Sequence, residues 1–223
     1  MRLSQELVIA IDGPAGAGKS TVARRLAQVL GYTYIDTGAM YRAITLYLLD
    51  LGLPFEESEE LAAALARVDL QCQGERIFLY GEDVTGELRK PQVTSQVSHV
   101  ARLPMVRSFL VDIQRRLAQR GGIVMDGRDV GTVVLPQADV KIFLTASLEE
   151  RARRRQGEWV AKGICVPREQ ILADLEERDR LDTERTLSPL RPAPDAIILD
   201  STDLGVEEVV ERIVALCREV GRV

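Results

Sequence analysis

A glycine-rich segment near the amino terminus carries the residues whose types and spacing point most directly to chemistry. Residues 13–20 read Gly13-Pro14-Ala15-Gly16-Ala17-Gly18-Lys19-Ser20 and match the pattern GxxxxGK[ST] in full. An apolar run, Leu7–Ile11, precedes the segment, and apolar residues at helical spacing follow it. In such a loop the backbone N–H groups turn toward phosphate, Lys19 lies against the β- and γ-phosphates, and Ser20 offers a hydroxyl to Mg²⁺. The segment therefore predicts a binding site for a nucleoside triphosphate.

A second polar segment, Asp36-Thr37-Gly38-Ala39-Met40-Tyr41-Arg42, follows the second predicted strand. Ligands of open α/β sheets bind outside the carboxyl ends of the strands, so this position suits a second substrate. Thr37 can cap the helix that follows, and Arg42 lies in its early turns, close to any bound anion. Helix capping with an ordinary surface arginine is the alternative explanation.

A third segment, Asp126-Gly127-Arg128-Asp129-Val130-Gly131-Thr132, follows the third core strand. Asp126 stands where a Walker-B-type carboxylate would orient Mg²⁺ through water. Arg128 offers a forked donor to a phosphate, and Asp129 can accept hydrogen bonds from a base or a sugar. A turn between strand and helix with no ligand is the alternative.

Arginines later in the chain form two groups. Arg178, Asp182 and Arg185 are spaced i, i+4, i+7, which predicts one shared helix face, although an exposed face with salt bridges explains the spacing almost as well. The second group, Arg151, Arg153, Arg154 and Arg155, follows the fourth core strand. It is either a solvated basic face or a lid that brings positive charge to a moving phosphoryl group.

Alternating strands and helices predict how these residues are positioned. Five apolar strands are expected at about 7–11, 32–35, 123–125, 140–144 and 196–199, with amphipathic helices between them. This order predicts an α/β fold of the P-loop NTPase type, with a doubly wound five-stranded parallel sheet and helices on both faces. Residues 69–80 alternate around a turn, which predicts a small antiparallel β insertion over 56–95. The core would comprise 1–55 and 96–223, with a lid over about 151–167.

Composition excludes several classes of function. The formal net charge of the 223-residue chain is −5, which argues against bulk nucleic acid as a partner. Three scattered cysteines and the single histidine, His99, argue against a disulfide framework and a zinc site. Neither a signal peptide nor a long apolar run is evident, so we expect a cytoplasmic protein with no membrane partner. With no long apolar surface stripe, we expect a monomer.

Taken in order, these segments and Gly81–Gly86 (GEDVTG) resemble the bacterial type of cytidylate kinase, a nucleoside monophosphate kinase. The resemblance covers essentially the whole chain, and its distinctive signatures are DTGAMYR, GEDVTG and DGRDVGT. It implies reversible transfer of the γ-phosphoryl group of ATP to CMP or dCMP, with Mg²⁺, in pyrimidine nucleotide metabolism.

The resemblance also implies a role for each matching residue. Gly13 through Thr21 would hold ATP, with Ser20 bound directly to Mg²⁺ and Asp126 through water. The CMP site would use Arg42, Arg128 and Arg185 for the phosphate, Arg178 and Asp182 for the sugar, Ser98, Arg107 and Asp129 for the cytosine edge, and Thr37 and Tyr41 as lining. Lys19, Arg128, Arg185 and the lid arginines Arg154 and Arg155 would be catalytic.

Two alternatives stay open on the sequence. One is a kinase for another small acceptor, such as UMP, AMP or shikimate. The other is a regulatory module that binds ATP without transferring phosphate. The lack of an NKxD element argues against a guanine-specific switch protein.

Overall fold

The computed structural model describes residues 6–161 and 163–221. Residues 1–5, 162 and 222–223 lie outside the described residues, and with them both ends of the predicted core and one residue of the predicted lid. The chain divides into two compact units. The first unit comprises the described residues of 1–32 and 121–223, and the second comprises 33–120. The predicted insertion, 56–95, falls within the second unit, and its own boundaries stay a prediction.

Strands and helices alternate along most of the chain. In chain order they are β1 Val8–Asp12, α1 Lys19–Leu30, β2 Thr33–Asp36, α2 Thr37–Asp50, α3 Glu59–Arg67, β3 Leu70–Gln73, β4 Arg76–Leu79, β5 Glu82–Asp83, α4 Pro91–Val100, α5 Pro104–Ala118, β6 Ile123–Asp126, β7 Val140–Thr145, α6 Leu148–Ala161, α7 Arg168–Thr183, β8 Ile197–Asp200 and α8 Val206–Val220. A short 3₁₀ turn covers Glu87–Arg89, and a π-helical turn covers Val130–Val134.

The parallel sheet has five strands in the order β2-β6-β1-β7-β8, which confirms the predicted fold class. The central strand β1 lies between β6 and β7, with Ile11 opposite Asp126 on one side and Ile142 on the other. All three strands are almost wholly buried. Helices cover both faces of a parallel sheet, so its strands are largely apolar instead of alternating between apolar and polar residues. This arrangement brings the carboxyl ends of β1 and β6, at Asp12 and Asp126, side by side.

The second unit contains the small antiparallel sheet that the sequence predicts. Its three strands have the order β3-β4-β5, one strand more than the predicted hairpin. The extra strand, β5, is only two residues long and charged, so no apolar alternation marks it in the sequence. Prolines begin α4 and α5 as expected, because proline suits the first turn of a helix.

The bounds of α6 and α7 in the first unit bear on the predicted lid and on the predicted arginine face. Ser147 Oγ accepts a hydrogen bond from the Glu150 N–H, as expected of the residue before α6. The helix α6 continues to Ala161 and so includes much of the predicted lid, 151–167. The other helix, α7, ends at Thr183, so the predicted helix face shared by Arg178, Asp182 and Arg185 is wrong for Arg185. No helix among the described residues combines the length and apolar character needed to span a bilayer.

Gly13 directly follows β1 and can only be glycine for two separate reasons. Its φ of +147° is one that residues with a side chain rarely adopt, and a Cβ atom would stand 1.9 Å from the Leu144 carbonyl oxygen. Gly31, the C-cap of α1, has φ of +73° with no atom within 4 Å of such a Cβ. Comparing alanine substitutions at these two glycines therefore separates the cost of backbone strain from the cost of steric overlap.

We expect Gly13→Ala to lower the free energy of unfolding by about 3 kcal/mol or more, because β7 must move to admit the methyl group. The matched control Gly31→Ala adds only left-handed strain and should cost about 1 kcal/mol. Urea denaturation followed by circular dichroism measures both. Equal losses in the two variants would contradict the steric argument.

Candidate active site

The phosphate-loop motif folds into the tight turn that its glycines allow. Gly16 and Gly18 have φ of +77° and +88°, and Gly18 is the N-cap of α1, so the helix starts directly at Lys19. The Nζ atom of Lys19 folds back over the loop and donates a hydrogen bond to the Pro14 carbonyl oxygen at 2.7 Å. The loop therefore holds its own lysine beside the amino terminus of a helix, where an anion is favoured.

Burial makes Lys19 an unusual lysine. Only 5% of the residue is exposed, and this desolvation is the main reason that its pKa falls to about 7. The nearby guanidinium of Arg128 lowers the pKa further, while the carboxylates of Asp126 and Asp182 act in the opposite direction. At neutral pH the charged and neutral forms of Lys19 are therefore close in free energy, and bound phosphate would stabilise the charged form.

The structure brings together Ser20 and Asp126, the two residues predicted to hold Mg²⁺. Ser20 Oγ donates a hydrogen bond to Asp126 Oδ2 at 3.1 Å, and Asp126 is buried at the end of β6. A hydroxyl and a carboxylate are the hard oxygen ligands that Mg²⁺ prefers, and Mg²⁺ usually binds through few protein oxygens together with phosphate and water. The two residues therefore fit a metal–nucleotide complex.

Asp12 is a buried carboxylate that sequence reasoning missed. It ends β1, and its two oxygens accept hydrogen bonds from the backbone N–H groups of Val130 and Gly131 at 2.8 and 2.7 Å. Burial raises its pKa to about 6, and the two N–H donors limit that rise. Asp12 thereby ties the start of the phosphate loop to the turn that follows Asp129. An acidic residue closing an otherwise apolar strand was the available signal.

Asp182 forms ion pairs with the arginines that follow β6 and α7. Its Oδ2 atom accepts from Arg128 Nε at 2.6 Å, and its Oδ1 atom accepts from Arg185 Nη2. Burial would raise the pKa of Asp182, but the charges of Arg128, Arg185 and, more weakly, Arg178 hold that pKa below its usual range. The structure thus brings these four predicted residues together, although Arg185 lies beyond the end of α7. The chain folds back there, because the Leu190 N–H donates to the Asp182 carbonyl.

The predicted lid arginines take two different positions on α6. Arg154 donates to the carbonyl oxygens of Ala17 and Ser201 at 3.3 and 2.5 Å, so it lies against the phosphate loop. Arg155 pairs with Glu158 at 2.9 Å and stands 5.1 Å from the ring centre of Trp159. Of these two residues, Arg154 is therefore the one that already contacts the loop.

In the second unit, Asp36 organises the segment that follows β2. Its carboxylate caps α2 through the Ala39 N–H at 2.8 Å, so Asp36, and not Thr37, is the N-cap. The same carboxylate pairs with Arg42 at 3.2 Å and approaches Arg89 at 3.9 Å. Thr37 is the first residue of α2 and is buried.

The other predicted residues of the second unit lie on α2, α4 and α5. The guanidinium of Arg107 stands 5.9 Å from the ring centre of Tyr41 and donates to the Ala101 carbonyl at 3.4 Å. Arg107, Tyr41 and Ser98 are all buried. A buried arginine over an aromatic ring keeps its forked donors in a fixed plane, which suits the recognition of a flat polar group.

Comparisons with known proteins agree across almost the whole chain. The family model described as cytidylate kinase matches residues 9–219. The chain is 54% identical over 211 residues to a cytidylate kinase of Caldanaerobacter subterraneus subsp. tengcongensis, covering 95% of this chain and 94% of that protein. It is 55% identical over 212 residues to a cytidylate kinase of Pelotomaculum thermopropionicum, covering 93% and 94%.

A solved structure gives an independent view of the fold. The crystal structure of an uncharacterized protein from Eubacterium ventriosum superimposes with a TM-score of 0.52, covering 96% of this chain and 99% of that one. The two sequences are 14% identical, so the likeness concerns the fold alone.

The low pKa of Lys19 makes the binding of a triphosphate depend on pH. Below about pH 7 the free protein already carries the charged lysine, whereas above it each binding event must take up one proton. We expect the affinity for ATP to fall about tenfold per pH unit above pH 7, measured by calorimetric titration from pH 6 to 9. In Lys19→Arg the guanidinium does not titrate in this range, so its weaker affinity should be flat. An equal slope in both proteins would assign the pH dependence to another group.

Proposed function

Because this chain belongs to the cytidylate kinase family, we propose that it transfers the γ-phosphoryl group of ATP reversibly to CMP, giving ADP and CDP. The observation that carries the proposal is the family match over residues 9–219, which spans the phosphate loop and every predicted acceptor residue. The buried Lys19 and the partly buried Arg128 and Arg185 support it, since phosphoryl transfer depends on positioning and on neutralising negative charge. We include dCMP as an acceptor on the resemblance.

The donor nucleotide would bind to the first unit. Gly13 through Thr21 would wrap the phosphates with backbone N–H groups, and Lys19 would exchange its Pro14 carbonyl for phosphate oxygens. Ser20 would bind Mg²⁺ directly and Asp126 through water, and the ion would supply neutralisation of the phosphate charge. The hydrogen bond between Ser20 and Asp126 keeps both oxygens at one place before the metal arrives.

The roles of the acceptor residues follow the family resemblance. The CMP phosphate would be bound by Arg42, Arg128 and Arg185, and the sugar by Arg178 and Asp182. Asp129 would accept from the cytosine amino group, Ser98 and Arg107 would donate to the cytosine acceptors, and Thr37 and Tyr41 would line the pocket. Arg154 and Arg155 would cover the transferring group as lid residues.

Catalysis would need no general base. The attacking atom is an oxygen of the CMP phosphate, which is already anionic, so the barrier comes from bringing two anions together. Asp182 pairs with Arg128 and Arg185 at once and so fixes the planes of both forks before substrate binds. Removing one such preorganised donor costs about 10²–10³ in kcat in other enzymes.

Other expectations from the sequence stay predictions beside this proposal. A monomer, a cytoplasmic location and the absence of a nucleic-acid partner belong to this group. A regulatory module is disfavoured because it has no use for paired arginines held on one buried carboxylate.

The first test is ADP formation from ATP and Mg²⁺ with CMP, dCMP, UMP, AMP, GMP and shikimate measured in parallel. We expect strong turnover with CMP and dCMP and weak turnover with the rest. Lys19→Ala, purified identically, should lose several orders of magnitude in kcat and thereby excludes a contaminating kinase. Turnover confined to another acceptor would replace CMP in the proposal, and no turnover with any acceptor would favour the regulatory module.

A second test concerns the choice of base. The buried Asp129 carboxylate would accept from the cytosine amino group, whereas uracil presents a lone pair there. Such a mismatch costs on the order of 1–3 kcal/mol, a factor of about 5 to 150. We expect Asp129→Ala to lower the CMP/UMP ratio of kcat/KM by this factor, while the exposed control Asp174→Ala leaves the ratio unchanged. An unchanged ratio in Asp129→Ala would remove Asp129 from base selection.

A further inference from the structure

The backbone of Ala15, in the middle of the phosphate loop, is held on both sides by one ion pair. Asp179 Oδ1 on α7 accepts from the Ala15 N–H at 3.2 Å, and Arg151 Nη1 on α6 donates to the Ala15 carbonyl oxygen at 2.9 Å. The two side chains also bind each other, with 2.6 Å between Arg151 Nη1 and Asp179 Oδ2. One acid, one base and one loop residue thus form a closed set of hydrogen bonds.

The surroundings of this set are apolar. Ala15, Ala152, Ile171 and Leu175 form a buried cluster between α6 and α7, against which Trp159 also packs. The side chains of Arg151 and Asp179 are 8% and 22% exposed, and the Arg151 Nε atom also donates to the Ala146 carbonyl at 3.1 Å. Hydrogen bonds to charged groups are strong where little water reaches them, so this largely buried arrangement restricts the loop more than a surface ion pair would.

Ala15 stands between two residues on which the loop depends. Pro14 supplies the carbonyl that holds Lys19, and Gly16 turns the chain so closely past α6 that a Cβ there would lie 3.2 Å from Arg151 Cβ. Moving Ala15 would therefore move the lysine and the turn of the loop together. Asp179 also lies one helical turn before Asp182, so α7 contacts the phosphate loop at one residue and Arg128 at the next turn.

We propose that Arg151 and Asp179 are positioning residues that set the phosphate loop for the nucleotide donor. They act on the Ala15 backbone and leave the acceptor chemistry to Arg128, Asp182 and Arg185. The donor role rests on the proposed function, but the inference itself concerns the affinity for ATP, which can be measured without any acceptor. A purely structural ion pair would change stability and leave the affinity for ATP intact.

The test compares two ion pairs, one that contacts the phosphate loop and one that is exposed on α7. Asp179→Ala removes the acceptor for the Ala15 N–H and leaves Arg151 without its carboxylate. The double variant R151Q/D179N keeps an amide donor and an amide acceptor for Ala15 without charge. The matched control E177Q/R180Q removes the same charges from an exposed pair on α7, where the two side chains are 54% and 52% exposed.

We expect Asp179→Ala to raise the Kd and the KM for ATP about 10- to 100-fold, while the KM for CMP changes by less than about twofold. R151Q/D179N should recover most of the affinity, and E177Q/R180Q should match the wild type. Calorimetric titration with ATP and Mg²⁺ gives the Kd, and steady-state kinetics give the KM values. Thermal unfolding by circular dichroism reports stability separately.

The outcomes distinguish this inference from the proposed function. Wild-type protein that binds ATP but uses no CMP would defeat the proposed function and leave the comparison of Kd values valid. A lower melting temperature with an unchanged Kd in Asp179→Ala would make the pair merely structural, as would an equal rise in the KM for ATP and CMP. If Asp179→Ala does not fold, Asp179→Leu takes its place, because the leucine side chain fills the space but offers no acceptor to the Ala15 N–H. An unchanged Kd in that variant overturns the inference.

Discussion

The first unit holds several positively charged side chains away from solvent, and the arrangement of its candidate site depends on compensating that charge. A buried cation without a counter-charge is unfavourable by several kcal/mol, and Lys19, Arg128 and Arg185 are all largely removed from water. Asp126 and Asp182 compensate part of that charge, but the pKa of Lys19 still falls to about 7, so the compensation is incomplete. A polyphosphate supplies the missing negative charge. Binding of the ligand and relief of the electrostatic cost are therefore one event.

In the second unit, neighbouring groups also fix the orientation of arginine side chains. Arg42 is paired with Asp36, which also caps α2, so one carboxylate fixes both the helix and the arginine beside it. Arg107 has the Tyr41 ring and the Ala101 carbonyl among its neighbours, and both contacts help to orient its guanidinium.

What the sequence could predict was determined by how local each feature is. The phosphate loop, the strand before it and the helix after it are neighbours in the chain, so pattern and spacing were sufficient for them. Ser20 and Asp126, which are in contact, were also marked locally, Ser20 by the phosphate-loop motif after β1 and Asp126 by its position at the end of β6. In contrast, Asp179 and Ala15 are 164 residues apart, and α7 carries three aspartates among which its sequence makes no distinction. The helix face predicted for Arg178, Asp182 and Arg185 was wrong at Arg185 for a similar reason, because the chain beyond Thr183 turns back through a tertiary hydrogen bond from Leu190 to Asp182.

Trp159, the single tryptophan of the chain, packs against the apolar cluster that includes Ala15. All intrinsic tryptophan emission therefore originates at the cluster that α6 and α7 form with this loop residue. The indole also lies under the guanidinium of Arg155, so its emission responds to the position of that side chain as well as to local polarity. The protein thus carries a built-in optical label at one defined position. Unfolding curves followed by fluorescence report this helix pair, whereas curves followed by far-ultraviolet dichroism report the whole backbone, and any separation between the two curves measures how independently α6 and α7 open.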